Sequence, residues 1–270
     1  MKRLDEGQVD FFRTFGYIVL REFLQAEDLT IMARELDEGL EVQFPDQPFD
    51  GKKRQWTRLT DEGTPYFAAL MEDPRFFIPA QQLCGEDVLG IGVDVNRYVG
   101  DTGWHPDTGD EEQRAVKFIF YLDPVAATTG ALRVIPGSNL LRGEARQRFA
   151  QSVAQWPIDQ VPAQAVATEP GDIIAFDIRT WHASCGGAVR RAVNLDYFAN
   201  PSTAADIAKL LDLGRGHASS IGHFGCRRKF NYSRNWLDNS RQSPARQRWI
   251  DRFVEIGYLD QPGVGEVAAE

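Results

Sequence analysis

The strongest constraint on the fold is a block of short extended segments between residues 88 and 198. The segments are rich in β-branched and aromatic residues and are separated by turns that contain glycine or proline. They cover residues 88–98, 115–122, 131–135, 173–176 and 193–198. Short strands punctuated in this way are typical of a sandwich or a barrel. The block therefore predicts a jelly roll.

Helical patterns lie on both sides of this block. Apolar residues at helical spacing, cap residues and proline or glycine punctuation mark each helix. Helices are predicted before Gly16, at 27–41, between Asp73-Pro74 and Gly85, and after Ser243-Pro244. The charged, proline- and glycine-containing stretch 43–65 predicts a long loop. We expect an α+β fold with a mainly β core.

The length of 270 residues fits one domain with a large core. We expect a single domain over 1–270, with a helical N-terminal layer at about 1–86, the jelly-roll core at about 87–200 and a C-terminal helical extension at about 201–260. The net charge of −9 argues against a nucleic-acid binder. No apolar run is long enough to span a membrane. Because the three cysteines are widely spaced and no secretory leader is evident, we expect a cytoplasmic protein, monomeric or homodimeric.

The sequence Trp104-His105-Pro106-Asp107 carries a candidate metal motif. Side chains two residues apart on a strand project to the same face, so His105 and Asp107 can bind one ion from a single strand end. His182, on a later strand, can supply a third ligand. Two imidazoles and one carboxylate are the donor set of non-haem iron(II) sites that keep positions open for substrates.

The chain resembles the phytanoyl-CoA dioxygenase-like branch of the iron(II)/2-oxoglutarate-dependent oxygenases. The residues that carry the resemblance occur in the family's order over most of 8–198. They are the N-terminal helix and strand at 8–20, the motif at 104–107, the strand and turn at 130–138, and the segments 171–176 and 181–184 followed by Arg191.

The resemblance implies a double-stranded β-helix, cupin-like in form, that holds Fe(II) through His105, Asp107 and His182. It also implies that Arg191 forms a salt bridge with the distal carboxylate of 2-oxoglutarate, a role that suits the planar guanidinium fork. Arg190 is adjacent, and on a regular strand only one of the two can face the pocket. We choose Arg191 because the residues after it match the family strand better.

Two softer cofactor contacts follow from the same resemblance. Asn96 lies where relatives place a polar group near the cosubstrate. Lys117 lies on an apolar strand, where a buried ammonium needs a charged partner such as the 2-oxoglutarate carboxylate. A solvent-facing lysine on an edge strand is the alternative.

The implied reaction uses O2 and 2-oxoglutarate to hydroxylate a C–H bond of a small molecule, releasing succinate and CO2. Asp107 favours hydroxylation, or another oxidation such as desaturation or ring closure, because halogenating relatives carry a small residue there. Two alternatives stay open: a metal-dependent cupin-type enzyme that does not use 2-oxoglutarate, and a catalytically silent binding module.

The substrate is the least determined part of the prediction. The segment 227–252 is strongly basic, which is consistent either with an anionic substrate or with a solvated face paired with acids elsewhere. Trp56 and Arg58 in the predicted loop, and Trp104 beside the metal motif, are candidate substrate contacts. For the two tryptophans, packing in the core is the alternative. His217, His223 and Cys226 form a weaker second metal candidate, because their spacing matches no familiar zinc pattern.

Overall fold

A computed structural model describes residues 3–85 and 87–266. Its helices are α1 (Glu6–Phe15), α2 (Ala26–Gln43), α3 (Pro65–Leu70), α4 (Pro74–Cys84), α5 (Gly143–Val153), α6 (Ala204–His223), α7 (Arg234–Asp238) and α8 (Pro244–Glu255). Its strands are β1 (Tyr17–Leu20), β2 (Gln55–Arg58), β3 (Val88–Tyr98), β4 (Thr102–His105), β5 (Ala115–Tyr121), β6 (Leu132–Val134), β7 (Gln164–Val166), β8 (Ile173–Asp177), β9 (His182–Ser184) and β10 (Arg190–Ala199). Short 3-10 turns lie at Ser138–Leu140 and Ser240–Gln242.

The strands form two antiparallel sheets, as expected for a jelly roll. The larger sheet has six strands in the order β1-β8-β5-β10-β3-β2, and the smaller has four in the order β4-β9-β6-β7. Most neighbouring strands are not consecutive in the chain, which is the connectivity of a rolled sheet and not of simple hairpins. Each extended segment predicted from the sequence is a strand here, and the last of them begins at Arg190 and not at Val193.

The two faces of the six-stranded sheet differ in polarity. On β5, Phe118 and Phe120 pack against Phe76 of α4, with ring centroids 5.5 and 6.0 Å from it. Lys117 and Ile119 alternate with them and line the interior between the two sheets. Successive side chains on a strand point to opposite faces, so Phe118 and Phe120 face the helical layer while Lys117 and Ile119 face the interior.

The predicted loop 43–65 is only partly a loop. Residues 55–58 form β2, which is buried and pairs with β3, so that Trp56 lies opposite Asn96 and Arg58 opposite Asp94. The prediction of a continuous loop is therefore wrong. The polar residues of this segment suggested exposure to solvent, whereas in the structure they are buried and form hydrogen bonds within the protein.

The C-terminal helices pack onto the sheet and the N-terminal layer. The indole nitrogen of Trp249 in α8 donates a hydrogen bond to the Val88 carbonyl, and that of Trp236 in α7 donates one to the Ala68 carbonyl. Both rings are fully buried. None of the helices within 3–85 and 87–266 has the length and apolar character that a bilayer crossing needs.

A partly buried charge cluster joins α2 to the start of α4. Asp28 accepts hydrogen bonds from the Arg75 guanidinium, at 2.7 and 3.1 Å, and from the Tyr66 hydroxyl. Burial would raise the pKa of Asp28, but the bonds from Arg75 and Tyr66 outweigh it and lower the pKa to about 2. The folded state therefore favours the ionised form of Asp28 more strongly than the unfolded chain does.

We expect Asp28→Asn to lower the free energy of unfolding by about 1 kcal/mol at neutral pH, because the pair is partly buried and solvent screens part of its interaction. The stabilisation is present above the ordinary pKa of 3.8 and is lost as the pH falls through the folded value of about 2. Urea unfolding of both proteins across this range should show the difference shrinking. Asp10→Asn is the control, because the Asp10–Arg13 pair is mostly exposed and should contribute little. A difference that is independent of pH would contradict the ion-pair explanation.

Candidate metal centre

Strand pairing brings the residues of the predicted motif together. In the four-stranded sheet, His105 at the end of β4 lies directly opposite His182 at the start of β9. Just beyond the end of β4, the Asp107 amide donates a 2.8 Å hydrogen bond to the Ile178 carbonyl. The carboxylate of Asp107 is thereby held next to both imidazoles.

The donor atoms of His105, Asp107 and His182 lie within 4.8 Å of one another. Nε2 of His105 is 3.7 Å, and Nε2 of His182 is 3.6 Å, from Oδ1 of Asp107. Among the described parts of the chain this is the one cluster of His, Cys, Asp or Glu side chains with a metal-binding arrangement.

The far sides of both imidazole rings are fixed by the backbone. Nδ1 of His105 lies 2.8 Å from the Gly103 carbonyl oxygen, and Nδ1 of His182 lies 3.0 Å from the Thr180 carbonyl oxygen. A carbonyl partner favours the tautomer protonated at Nδ1, which leaves the Nε2 lone pair free for a metal. Both rings therefore present their ligand nitrogen to the same point.

The protonation states also suit a divalent cation. Burial lowers the pKa of His182 to about 4, so its imidazole is neutral at physiological pH. Burial would raise the pKa of Asp107, but Lys117 and the two imidazoles outweigh it and hold the pKa below its usual range. Two imidazoles and one carboxylate are the donors that non-haem iron(II) sites use, so the residues present fit such an ion.

Lys117 on β5 reaches the same cluster. Its ammonium lies 2.8 Å from Oδ2 of Asp107 and 3.7 Å from Oδ1 of Asp196. Burial lowers the pKa of Lys117, but these carboxylates more than compensate, and the pKa is raised overall. The alternative of a solvent-facing edge lysine is wrong, because β5 lies inside the sheet between β8 and β10.

A cavity of about 160 Å³ opens beside the three ligands. Its wall includes predicted residues from both sheets, among them Asn96 and Lys117. Asn96 is almost fully buried and donates a 3.1 Å hydrogen bond to Asp94. Sequence reasoning named Arg190 only as the rejected alternative to Arg191. It missed other wall residues, among them Arg54, Tyr98, Tyr121, Ser184 and Asn194.

Arg190 is a cavity residue with unused hydrogen-bonding capacity. Its side chain donates to the hydroxyl of Ser184 at 3.1 Å and to the carbonyls of Ala188 and Gly100, but it forms no ion pair with a described residue. Nε is buried and has no partner within the described chain. A buried guanidinium without a carboxylate is costly unless a ligand supplies the anion.

Glycines make room for this guanidinium. A Cβ at Gly130, whose φ is +92°, would lie 2.6 Å from Cζ of Arg190, and a Cβ at Gly187 would collide with its Nη1. Tyr98 covers another side, with its ring centroid 4.2 Å from Cζ of Arg190. The protein thus holds Arg190 in one position.

The prediction that Arg191 faces the pocket is wrong. Its guanidinium donates to Asp123 at 3.2 and 2.8 Å and to Asp37 of α2 at 3.1 Å. Strand alternation puts Arg191 on the face of β10 that carries the apolar Val193 and Leu195 and that packs on the helices. Its fork is already occupied by two carboxylates, whereas Arg190 points into the interior.

The predicted substrate contacts do not line the cavity. Trp56 donates its indole hydrogen to Asp94 at 2.8 Å, and Arg58 donates to the Ile91 carbonyl and contacts Nδ1 of His217. Both are buried in β2. Trp104 points away from His105 into a separate cluster with Trp181. These positions favour the core alternative for the two tryptophans, and Arg58 is buried away from the cavity.

The basic segment 227–252 is largely neutralised within the protein. Several of its arginines form ion pairs with acids, which are Arg228 with Asp61, Arg234 with Asp238, Arg246 with Glu72, Arg248 with Asp87 and Arg252 with Glu255. This pattern agrees with the solvated and paired alternative. His217 instead contacts Arg58, and Cys226 contacts Thr57 and Arg228, so the second metal candidate is not assembled.

Comparison with known proteins adds a family match. The family model described as phytanoyl-CoA dioxygenase matches residues 12–192, which include all three candidate ligands and Arg190. A search of curated proteins found no match.

Solved structures with a similar fold include proteins crystallised with Fe or with 2-oxoglutarate. EctD from S. alaskensis, solved with 2-oxoglutarate and 5-hydroxyectoine, is 22% identical with a TM-score of 0.56, and the match covers 73% of this chain and 77% of that chain. The α-ketoglutarate-dependent carbocyclase SnoK from nogalamycin biosynthesis is 20% identical with a TM-score of 0.58, covering 73% and 85%. AviO1 from Streptomyces viridochromogenes Tue57 is 18% identical with a TM-score of 0.58, covering 75% and 98%. These similarities establish a shared fold.

Proposed function

The chain belongs to the phytanoyl-CoA dioxygenase family of iron(II)/2-oxoglutarate-dependent oxygenases, and we propose that it hydroxylates an unactivated C–H bond of a small molecule. The single observation that carries this proposal is the convergence of His105, Asp107 and His182 beside a cavity. We propose these residues as the ligands of Fe(II). Structural relatives with the same fold were solved with Fe or with 2-oxoglutarate, which supports the same cofactors here.

We propose Arg190, in place of Arg191, as the anchor for the distal carboxylate of 2-oxoglutarate. Arg190 contacts Ser184, which lies two residues beyond His182 on β9. That separation is about 7 Å along an extended strand, a distance that a five-carbon dicarboxylate can bridge. The unpartnered Nε and the absence of an ion pair among described residues leave Arg190 ready to bind an anion.

Bound Fe(II) and 2-oxoglutarate would supply the oxidising chemistry with O2, releasing succinate and CO2. The residues of this chain would hold these groups and orient them. Asp107 supplies the carboxylate ligand, which favours hydroxylation over halogenation, and the backbone carbonyls behind His105 and His182 fix the two rings. Lys117 orients Asp107 through its 2.8 Å contact, and Asn96 contributes a polar side chain to the wall.

We also propose that residues 1–270 act as one oxygenase domain. The family match ends at residue 192, but α7 and α8 bury tryptophans against α3 and β3, which supports a C-terminal part that folds with the core. The predicted outer boundaries at residues 1, 86 and 270 lie outside the described residues.

Anaerobic titration of the metal-free protein tests this function. We expect a weak visible charge-transfer band that appears only when both Fe(II) and 2-oxoglutarate are present, because the chelate requires both. Metal binding without the band would support a cupin-type enzyme that does not use 2-oxoglutarate. Failure to bind metal at all would support a silent binding module.

A further inference from the structure

A second arginine, Arg54, lines the cavity beside the proposed cosubstrate anchor. It lies immediately before β2, and its Nε donates a 2.8 Å hydrogen bond to Oδ1 of Asn96. Its guanidinium carbon is 4.2 Å from the ring centroid of Tyr98 and 5.2 Å from that of Phe224. Arg54 is therefore held in place along one edge and by aromatic rings.

The other edge of this guanidinium is free. Nη1 and Nη2 of Arg54 make no hydrogen bond with residues in the described ranges, and no acidic side chain there forms an ion pair with it. Asn96 passes a hydrogen bond on to Asp94, but that carboxylate does not touch Arg54 itself. Burial and the nearby charge of Arg190 lower the pKa of Arg54, which is consistent with a cation that has incomplete compensation.

Arg54 and Arg190 differ in depth. Arg190 is 2% exposed, whereas Arg54 is only half-buried. Both contact the ring of Tyr98, at 4.2 Å. The deep position suits a cosubstrate that binds first, and the shallower position suits a ligand that arrives afterwards from solvent.

We propose that Arg54 binds a carboxylate of the substrate, so that the enzyme acts on a small carboxylic acid. This inference rests on the proposed function, since it assumes that 2-oxoglutarate occupies Arg190. The two free nitrogens of Arg54 form the planar fork that binds a carboxylate through paired hydrogen bonds. Arg54 and Arg190 line the same cavity, so a carboxylate on Arg54 would lie beside the proposed cosubstrate site.

The test is anaerobic calorimetry on protein already saturated with Fe(II) and 2-oxoglutarate. The probes are propionate, benzoate and phenylacetate, each compared with its primary amide. We expect at least one acid to bind in preference to its amide, and Arg54→Gln to weaken that binding about tenfold or more. Arg54→Lys should restore only part of the affinity, because it keeps the charge without the fork.

The control variant is Arg97→Gln. Arg97 lies on the face of β3 opposite to the one that carries the cavity residue Asn96, and it pairs with Asp37. Its loss should therefore leave acid binding unchanged. The proposal is overturned if none of the acids binds, if the amides bind equally well, or if Arg54→Gln weakens 2-oxoglutarate binding as much as Arg190→Gln does. The Fe(II)/2-oxoglutarate band, measured first in the wild-type protein, separates failure of this inference from failure of the proposed function.

Discussion

Replacement of His182 by Ala should abolish Fe(II) binding and, with it, all 2-oxoglutarate turnover. His182 supplies one of only three protein donors proposed for the ion, and its ring is buried against Phe176, so water has limited room to substitute for it. Metal content after reconstitution and succinate release measure the two effects. Asp107→Gly should abolish hydroxylation while retaining part of the metal affinity, because two imidazoles remain.

Two further variants make this result interpretable. His105→Ala removes a ligand whose side chain is 41% exposed, so it should lose metal with less disturbance of packing than the buried site causes. His223→Ala is the matched control, since His223 is exposed on α6 and should leave metal binding unchanged. Full oxidation activity in both His182→Ala and His105→Ala would refute the ligand assignment.

Arg190→Gln should weaken 2-oxoglutarate binding about 10- to 100-fold without changing Fe(II) affinity. The variant loses the charge-assisted hydrogen bonds proposed for the distal carboxylate. The charge-transfer band, titrated with 2-oxoglutarate at saturating Fe(II), gives the dissociation constant directly. Arg190→Lys should recover part of the loss, which a merely structural defect would not show.

The neighbouring Arg191 offers a sharp control for this experiment. Arg191→Gln should leave the 2-oxoglutarate dissociation constant nearly unchanged but should lower the free energy of unfolding, because Arg191 bridges Asp37 and Asp123. If Arg191→Gln instead loses cosubstrate affinity while Arg190→Gln does not, the assignment made from this structure is wrong.

The sequence alone was sufficient to predict β3, β5, β6, β8 and β10 and the residues of the ligand cluster, but not β2 or β7. The strand runs carry dense β-branched and aromatic residues, and His105 and Asp107 have the spacing that one strand end requires. The register that sets His105 opposite His182 was not predictable, because pairing between distant strands depends on the whole sheet.

The choice between Arg190 and Arg191 shows where sequence reasoning failed. Along β10, Arg191 shares its face with Val193 and Leu195, while Arg190 shares its face with Ala192 and Asn194. In a barrel whose interior is polar, the second set points to the site. The alternation of apolar and polar residues along this strand favours Arg190, whereas similarity to the family strand favours Arg191, and the alternation is the better guide.

The prediction of a continuous loop at 43–65 was wrong for a different reason. β2 contains polar residues that are normally exposed, and their burial becomes favourable only through partners far away in the sequence. Arg58, for example, is 1% exposed and is bonded to the Ile91 carbonyl and to His217. A local sequence pattern does not show that residues far away in the chain will form hydrogen bonds with these buried polar side chains.

The pairing of β4 with β9 has a consequence for how long the enzyme survives. The small sheet is built from strands of only three or four residues, so few backbone hydrogen bonds hold it closed. An ion shared by His105 and His182 would fasten two of these strands together, and binding to the closed form adds stability by mass action. Bound iron would then stabilise the fold as well as take part in the reaction. In the metal-free protein we expect the small sheet to unfold first, and this locally unfolded form to be the one that proteases cleave.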